Sequence, residues 1–136
     1  MKQLQLVDQS YVHQLWDTVK PFFEASYEES TKDCTPDQLR LLLSRGAQHL
    51  FVIVDDNIIC GAFSVEIVNH PNSKSATTTA MGGKGLFTNE TIAQYEDWAR
   101  SQGVTKIRAY AKESQARLYR QKLGLNSTVY LVEKTI

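Results

Sequence analysis

The chain has 136 residues, 42% hydrophobic and 22% charged, the size and balance of one folded domain, residues 1–136, that buries a core without staples. Two cysteines, Cys34 and Cys60, exclude a disulfide scaffold, and fifteen basic against fifteen acidic residues leave no basic excess for nucleic acid. Apolar runs are far shorter than the ~20 residues that cross a bilayer, and MKQLQLVDQS has no leader pattern, so a soluble cytoplasmic protein is expected.

Met1 to Val7 alternates Leu4 and Leu6 with polar neighbours, the period of a strand. Asp8 can cap the next segment, where Val12, Leu15, Trp16 and Val19 share one helix face. Pro21 is expected to break or restart that helix, with Phe22, Phe23 and Tyr27 forming a second apolar turn. Thr35-Pro36-Asp37 is a helix start: a cap, a proline in the first turn and an acid beside the dipole. Leu39, Leu42 and Leu43 form its inner face, and Gly46 ends it.

The period then changes. Leu50 to Val54 is a short β-branched run, Asp55-Asp56-Asn57 is turn chemistry, and Ile58 to Val68 reads as the returning strand of a hairpin. Val52, Val54, Ile59, Phe63 and Val65 are its expected core residues. After His70-Pro71-Asn72-Ser73, a third strand spans Ser75 to Met81, followed by Gly82-Gly83-Lys84-Gly85. Thr88 or Asn89 caps a helix with Ile92, Tyr95, Trp98 and Ala99 on one face, closed by Gly103. Lys106 to Ala111 reads as a strand, Ser114 to Lys122 as a short helix and Thr128 to Ile136 as a final strand. The expected class is α/β (α+β): a mixed, mostly antiparallel twisted sheet with helices on both faces.

FVIVDDNIICGAF, IAQYEDWARSQGVTKIRAY and ARLYRQKLGL, in this order and spacing, resemble the second-to-third strands, third helix and fourth helix of the GNAT (Gcn5-related N-acetyltransferase) family. The resemblance covers essentially the whole chain. It implies a fourth strand splayed from the fifth, with acyl-CoA in the gap. It also implies acetyl transfer from acetyl-CoA to an amine acceptor. Short, motif-degenerate proteins of this layout also resemble phage-encoded ones, including virion-associated ones. The alternative is therefore a GNAT-fold binding or structural protein without transfer activity, working as a homodimer or with an assembly partner.

In the family, backbone N–H groups at the start of the third helix hold the pyrophosphate, as unpaired helix-start donors favour an anion. The matching segment here is Met81-Gly82-Gly83-Lys84-Gly85, which departs from the family's spacing: Ala80 stands where a Gln or Arg belongs. It reads either as a phosphate cradle or as a flexible turn. Transfer to an amine also needs a proton acceptor, and a donor for the leaving thiolate. The Thr-rich third strand has no carboxylate, which leaves Glu66 as the nearest candidate base or, equally, a solvated strand-end residue. The family's acid is a Tyr four residues before the helix-ending glycine. Tyr119 stands five before Gly124 and Arg120 four, and one position turns a helical side chain by roughly 100°. Either residue can therefore face the cofactor. Arg117 and Arg120 are candidate contacts to CoA, or a solvated face.

The remaining polar residues point to no other chemistry. Cys34 and Cys60 read as stray or buried thiols, and His13, His49 and His70 lack metal-ligand spacing.

Overall fold

Leu50, Phe51, Val52 and Ile53 are all buried, and consecutive strand residues point to opposite faces, so both faces of this strand must be covered. The computed structural model describes residues 1–136 and shows how. In chain order it contains β1 (Lys2–Val7), a 3₁₀ turn (Gln9–Tyr11), α1 (Val12–Tyr27), α2 (Pro36–Ser44) and β2 (His49–Asp55). There follow β3 (Ile58–Asn69), β4 (Lys74–Gly83), α3 (Asn89–Ser101), β5 (Lys106–Ala109) and α4 (Glu113–Leu123). One five-stranded sheet runs β1-β2-β3-β4-β5; the first four strands are antiparallel neighbours and β5 joins β4 in parallel.

Leu50, Val52 and Ala62 point to one face and pack with Val12, Trp16, Val19 and Phe23 of α1 and Leu39 and Leu43 of α2. Phe51, Ile53, Phe63 and Val65 point to the other, against Tyr95 and Ala99 of α3. Phe51 and Phe63 stack at 5.1 Å, and Tyr95 meets both rings edge-on, the geometry that aromatic quadrupoles favour. Of the hairpin residues expected inside, Val52, Phe63 and Val65 are fully buried, while Val54 and Ile59 are half-buried at its rim. Asp56 and Asn57 both take positive φ, 49° and 63°, as a two-residue hairpin loop requires. Thr35 caps α2 in a reciprocal box with Gln38, and Thr88 caps α3 in a box with Thr91.

Two expectations are corrected. Pro21 does not break the first helix: α1 runs unbroken from Val12 to Tyr27. An internal proline removes a hydrogen bond and costs about 3 kcal/mol. Here the buried stripe Val12, Trp16, Val19, Phe23 continues across Pro21, and its packing on both sides offsets that cost. The final strand over Thr128–Ile136 is absent. Residues 126–136 take part in no backbone–backbone hydrogen bond, because strand propensity becomes a strand only where a ladder partner is supplied.

Candidate functional site

β4 and β5 pair only from Ser75↔Lys106 to Thr78↔Ala109. β4 then continues to Gly83, whereas the other chain leaves β5 through Tyr110 and Ala111 into α4. From Thr79 onward the β5-facing edge of β4 has no strand beside it, and a gap opens there. The gap begins at an irregularity. On the β3 side the register steps from Ser64↔Ala80 to Val65↔Thr78, so Thr79 is the extra, unpaired residue of a β-bulge. Bulges bend a strand and re-aim its side chains.

Thr79 is held by a buried polar chain. Its hydroxyl donates to Gln48 Oε1 at 2.6 Å and lies 2.6 Å from the Ser64 hydroxyl. Gln48 Nε2 in turn donates to Glu66 Oε2 at 3.4 Å. Ser64 is fully buried and Gln48 nearly so. Glu66 stands opposite Thr77, where β4 and β5 are still paired. It therefore communicates with the gap through Gln48 and Thr79.

Tyr119 lies on the inward stripe of α4 with Ala116 and Leu123. Its ring meets Phe87 edge-on at 6.0 Å, and its hydroxyl points at Met81 Sδ, 3.9 Å away. Met81 belongs to the unpaired stretch of β4, so the phenol faces the gap. Burial pushes its pKa above the ordinary value of 10, and Tyr119 therefore keeps its proton at neutral pH. Arg120 projects outward: Nη2 donates to Glu113 at 3.0 Å and Nη1 to Ser127 at 2.7 Å. Arg117 is exposed on the same helix. Of the two residues at this position of α4, Tyr119 is the half-buried one and Arg120 the exposed one.

The glycine segment is built differently from either reading of the sequence. Gly82 and Gly83 are strand residues, paired with Ala62 and Gly61. A Cβ on Gly82 would lie 2.1 Å from the Phe22 carbonyl oxygen of α1, and one on Gly83 only 2.7 Å from the Cys60 carbonyl oxygen. These glycines admit neighbouring backbone, and the true loop is Lys84 to Thr88. Gly85 has a φ of +60°, and its carbonyl accepts from Lys2 Nζ, which brings the Lys2 ammonium to this loop. The N–H groups of Lys84 to Phe87, Asn89 and Glu90 donate to no group within the chain. They form a run of open donors leading into the α3 dipole.

Lys2, Gln48, Ser64 and Thr79 were not identified from sequence. Ser64 was the legible signal, a polar residue inside an apolar strand. Lys2 had none, because β1 and the loop are over eighty residues apart. No three His, Cys, Asp or Glu side chains are grouped to hold a metal ion, and no helix is long and apolar enough to cross a membrane.

Among solved structures, an aminoglycoside acetyltransferase from an uncultured soil metagenomic sample is similar, at 14% identity and a TM-score of 0.72, over 99% of this chain and 96% of that one. The ribosomal-protein-alanine N-acetyltransferase of Brucella melitensis is similar at 14% identity and 0.66, over 99% and 100%. A predicted acetyltransferase from Clostridium acetobutylicum, solved with acetyl-CoA, is similar at 14% and 0.62, over 99% and 96%. No protein-family model and no curated protein matches the sequence. The chain has the GNAT acetyltransferase fold, end to end.

Proposed function

We propose that the protein is an acyl-CoA-dependent N-acetyltransferase that transfers an acetyl group from acetyl-CoA to an amine. The observation that carries this reading is the gap beside β4: it opens at the Thr79 bulge, and a protonated Tyr119 lies along it against Met81. The free peptide edge from Thr79 to Gly83 offers hydrogen bonds to the amide-rich arm of CoA. The open N–H groups of Lys84 to Phe87, Asn89 and Glu90, with the ammonium groups of Lys2 and Lys84, suit its pyrophosphate.

In this reading the amine nitrogen attacks the acetyl carbonyl carbon, and the tetrahedral intermediate collapses with cleavage of the carbon–sulfur bond. The departing thiolate takes its proton from Tyr119. The proton lost by the amine passes through solvent to Glu66, whose link to Thr79 through Gln48 orients the polar wall of the site. Arg117 is positioned on the exposed face of α4 to meet charge on the CoA; Arg120 is engaged with Glu113 and Ser127.

One observation favours a second reading, a GNAT-fold protein that binds without transferring. No carboxylate lines the unpaired stretch of β4, and Glu66 reaches it only through intermediaries. Calorimetric titration with acetyl-CoA, followed by thiol release against a panel of primary amines, separates the two. Saturable binding with amine-dependent release supports the transferase, and saturable binding without release supports the second. No binding removes both the gap and the loop from any acyl-CoA role.

A further inference from the structure

β1 pairs with β2 only as far as Val7↔Leu50. Beyond that point the chain of β1 turns away through Asp8 into the 3₁₀ turn, while β2 begins further back, at His49. Between that turn, the end of α2 and the start of β2 lies a cavity of about 490 Å³, within the size range of small-molecule sites. Leu6, Leu43 and Leu50 give it an apolar floor, and Asp8, Gln9, Gln48 and His49 give it a polar rim. Gln48 stands between this cavity and the gap beside β4. It is nearly fully buried, and its amide is committed to Thr79 and Glu66.

The charge of the rim is one-sided. No Lys or Arg lines the cavity, and Asp8 is its one acidic residue. The Ser10 hydroxyl donates to Asp8 at 2.7 Å and the Ser10 N–H at 2.9 Å; these bonds hold the carboxyl below its usual range, so it is ionised at neutral pH. Both bonds end on Oδ1, which leaves Oδ2 without a partner in the chain. Burial holds the His49 imidazole below its ordinary value, so it adds no positive charge at neutral pH. We propose that this cavity is a binding site for a small organic monocation, an ammonium group on a compact apolar body. Asp8 Oδ2 takes the ammonium and the leucine floor takes the body. The site is separate from the gap beside β4, and it stands whether or not the chain transfers acetyl groups.

Titration of isotope-labelled full-length protein with phenethylammonium, followed through amide chemical shifts, tests this. The expected result is saturable shifts in residues 6–10 and 43–50, with a Kd below ~10 mM. The uncharged analogue 2-phenylethanol should bind at least about tenfold more weakly. So should the cation to Asp8→Asn, whose amide oxygen still caps the turn. The cation and the alcohol are compared on wild-type protein, so the result does not depend on the stability of the variant. No saturable shift by ~10 mM overturns the proposal. So does equal affinity for the alcohol, or undiminished affinity in folded Asp8→Asn. Shifts confined to Met81, Tyr119 and their neighbours also overturn it, because the amine would then occupy the gap.

Discussion

The Tyr119 hydroxyl lies 3.9 Å from Met81 Sδ, so the one phenol on the inward face of α4 is directed at the stretch of β4 that has no strand beside it. Thioether contact satisfies the hydroxyl only weakly, and a CoA sulfur threaded along β4 would offer a comparable soft neighbour. Replacing the phenol with phenylalanine keeps the ring on Phe87 and removes only the hydroxyl.

Tyr119→Phe should therefore lower kcat by roughly tenfold to 10⁴-fold with little change in acetyl-CoA affinity. Steady-state kinetics alongside calorimetric Kd values would check this. The wild-type acid must be protonated to act, and burial holds its pKa above 10. The midpoint of any alkaline loss of activity from this group should thus lie above pH 10. An unchanged kcat in the variant would remove Tyr119 from the proton chemistry.

Phe63 connects the strand pattern to the second core. It is 2% exposed, stacked on Phe51 and edge-on to Tyr95. Phe63→Ala should cost about 3–5 kcal/mol, the range for large buried aromatics. Urea denaturation gives the number; a loss under about 1 kcal/mol would mean that the α3 layer repacks freely.

The layers of this fold were legible because they follow from local pattern. Leu50 to Ile53 demanded cover on both sides, the Thr35 and Thr88 boxes announced their helices, and the Asp56-Asn57 turn set the hairpin. What sequence could not show depends on contacts between distant segments. Pro21 stays helical because Trp16 and Phe23 pack on either side of it. The Thr79 bulge arises from a register step against Ser64 and Val65. The direction of Tyr119 depended on the helix register before Gly124, which motif spacing alone left open by one residue. The segment at Val129 had every local mark of a strand and lacked only a neighbour.

Tyr95 makes an alkaline prediction. Its hydroxyl is buried without a well-placed partner, and burial pushes its pKa up to about 12, against a smaller opposing pull from Thr78. The fold favours the protonated phenol, so this contribution is fully present below pH 10, the unfolded value. It is lost as pH rises towards 12. Moving a phenol by this much corresponds to about 3 kcal/mol. Tyr95→Phe keeps the apolar contacts and should flatten the fall in stability between pH 10 and 12. Thermal melts of both proteins across that window would show it, and identical pH profiles would place the ionising group elsewhere.

The glycines separate packing from binding. Gly82 faces the Phe22 carbonyl so closely that an added methyl must push α1 away from the sheet. Gly82→Ala should therefore cost at least about 2 kcal/mol of stability, the mid-range for overpacking. Gly83→Val adds strain, because its φ of 117° is rarely open to a branched side chain and β3 backbone lies on its far side. It should be destabilised more than Gly82→Ala. Gly85 is different. Its φ of 60° is left-handed, but the nearest atom to an added Cβ is the mobile end of Lys2, at 2.9 Å. Gly85→Ala should cost only about 1–2 kcal/mol. A methyl there crowds the open N–H groups that would hold the pyrophosphate, so its acetyl-CoA Kd should rise about tenfold or more, roughly 1.4 kcal/mol. Denaturation and calorimetry on the three variants give the pattern. Stability lost at Gly82 and Gly83 with affinity lost at Gly85 places the anion in the loop before α3. Unchanged affinity in a folded Gly85→Ala protein excludes that loop from the site.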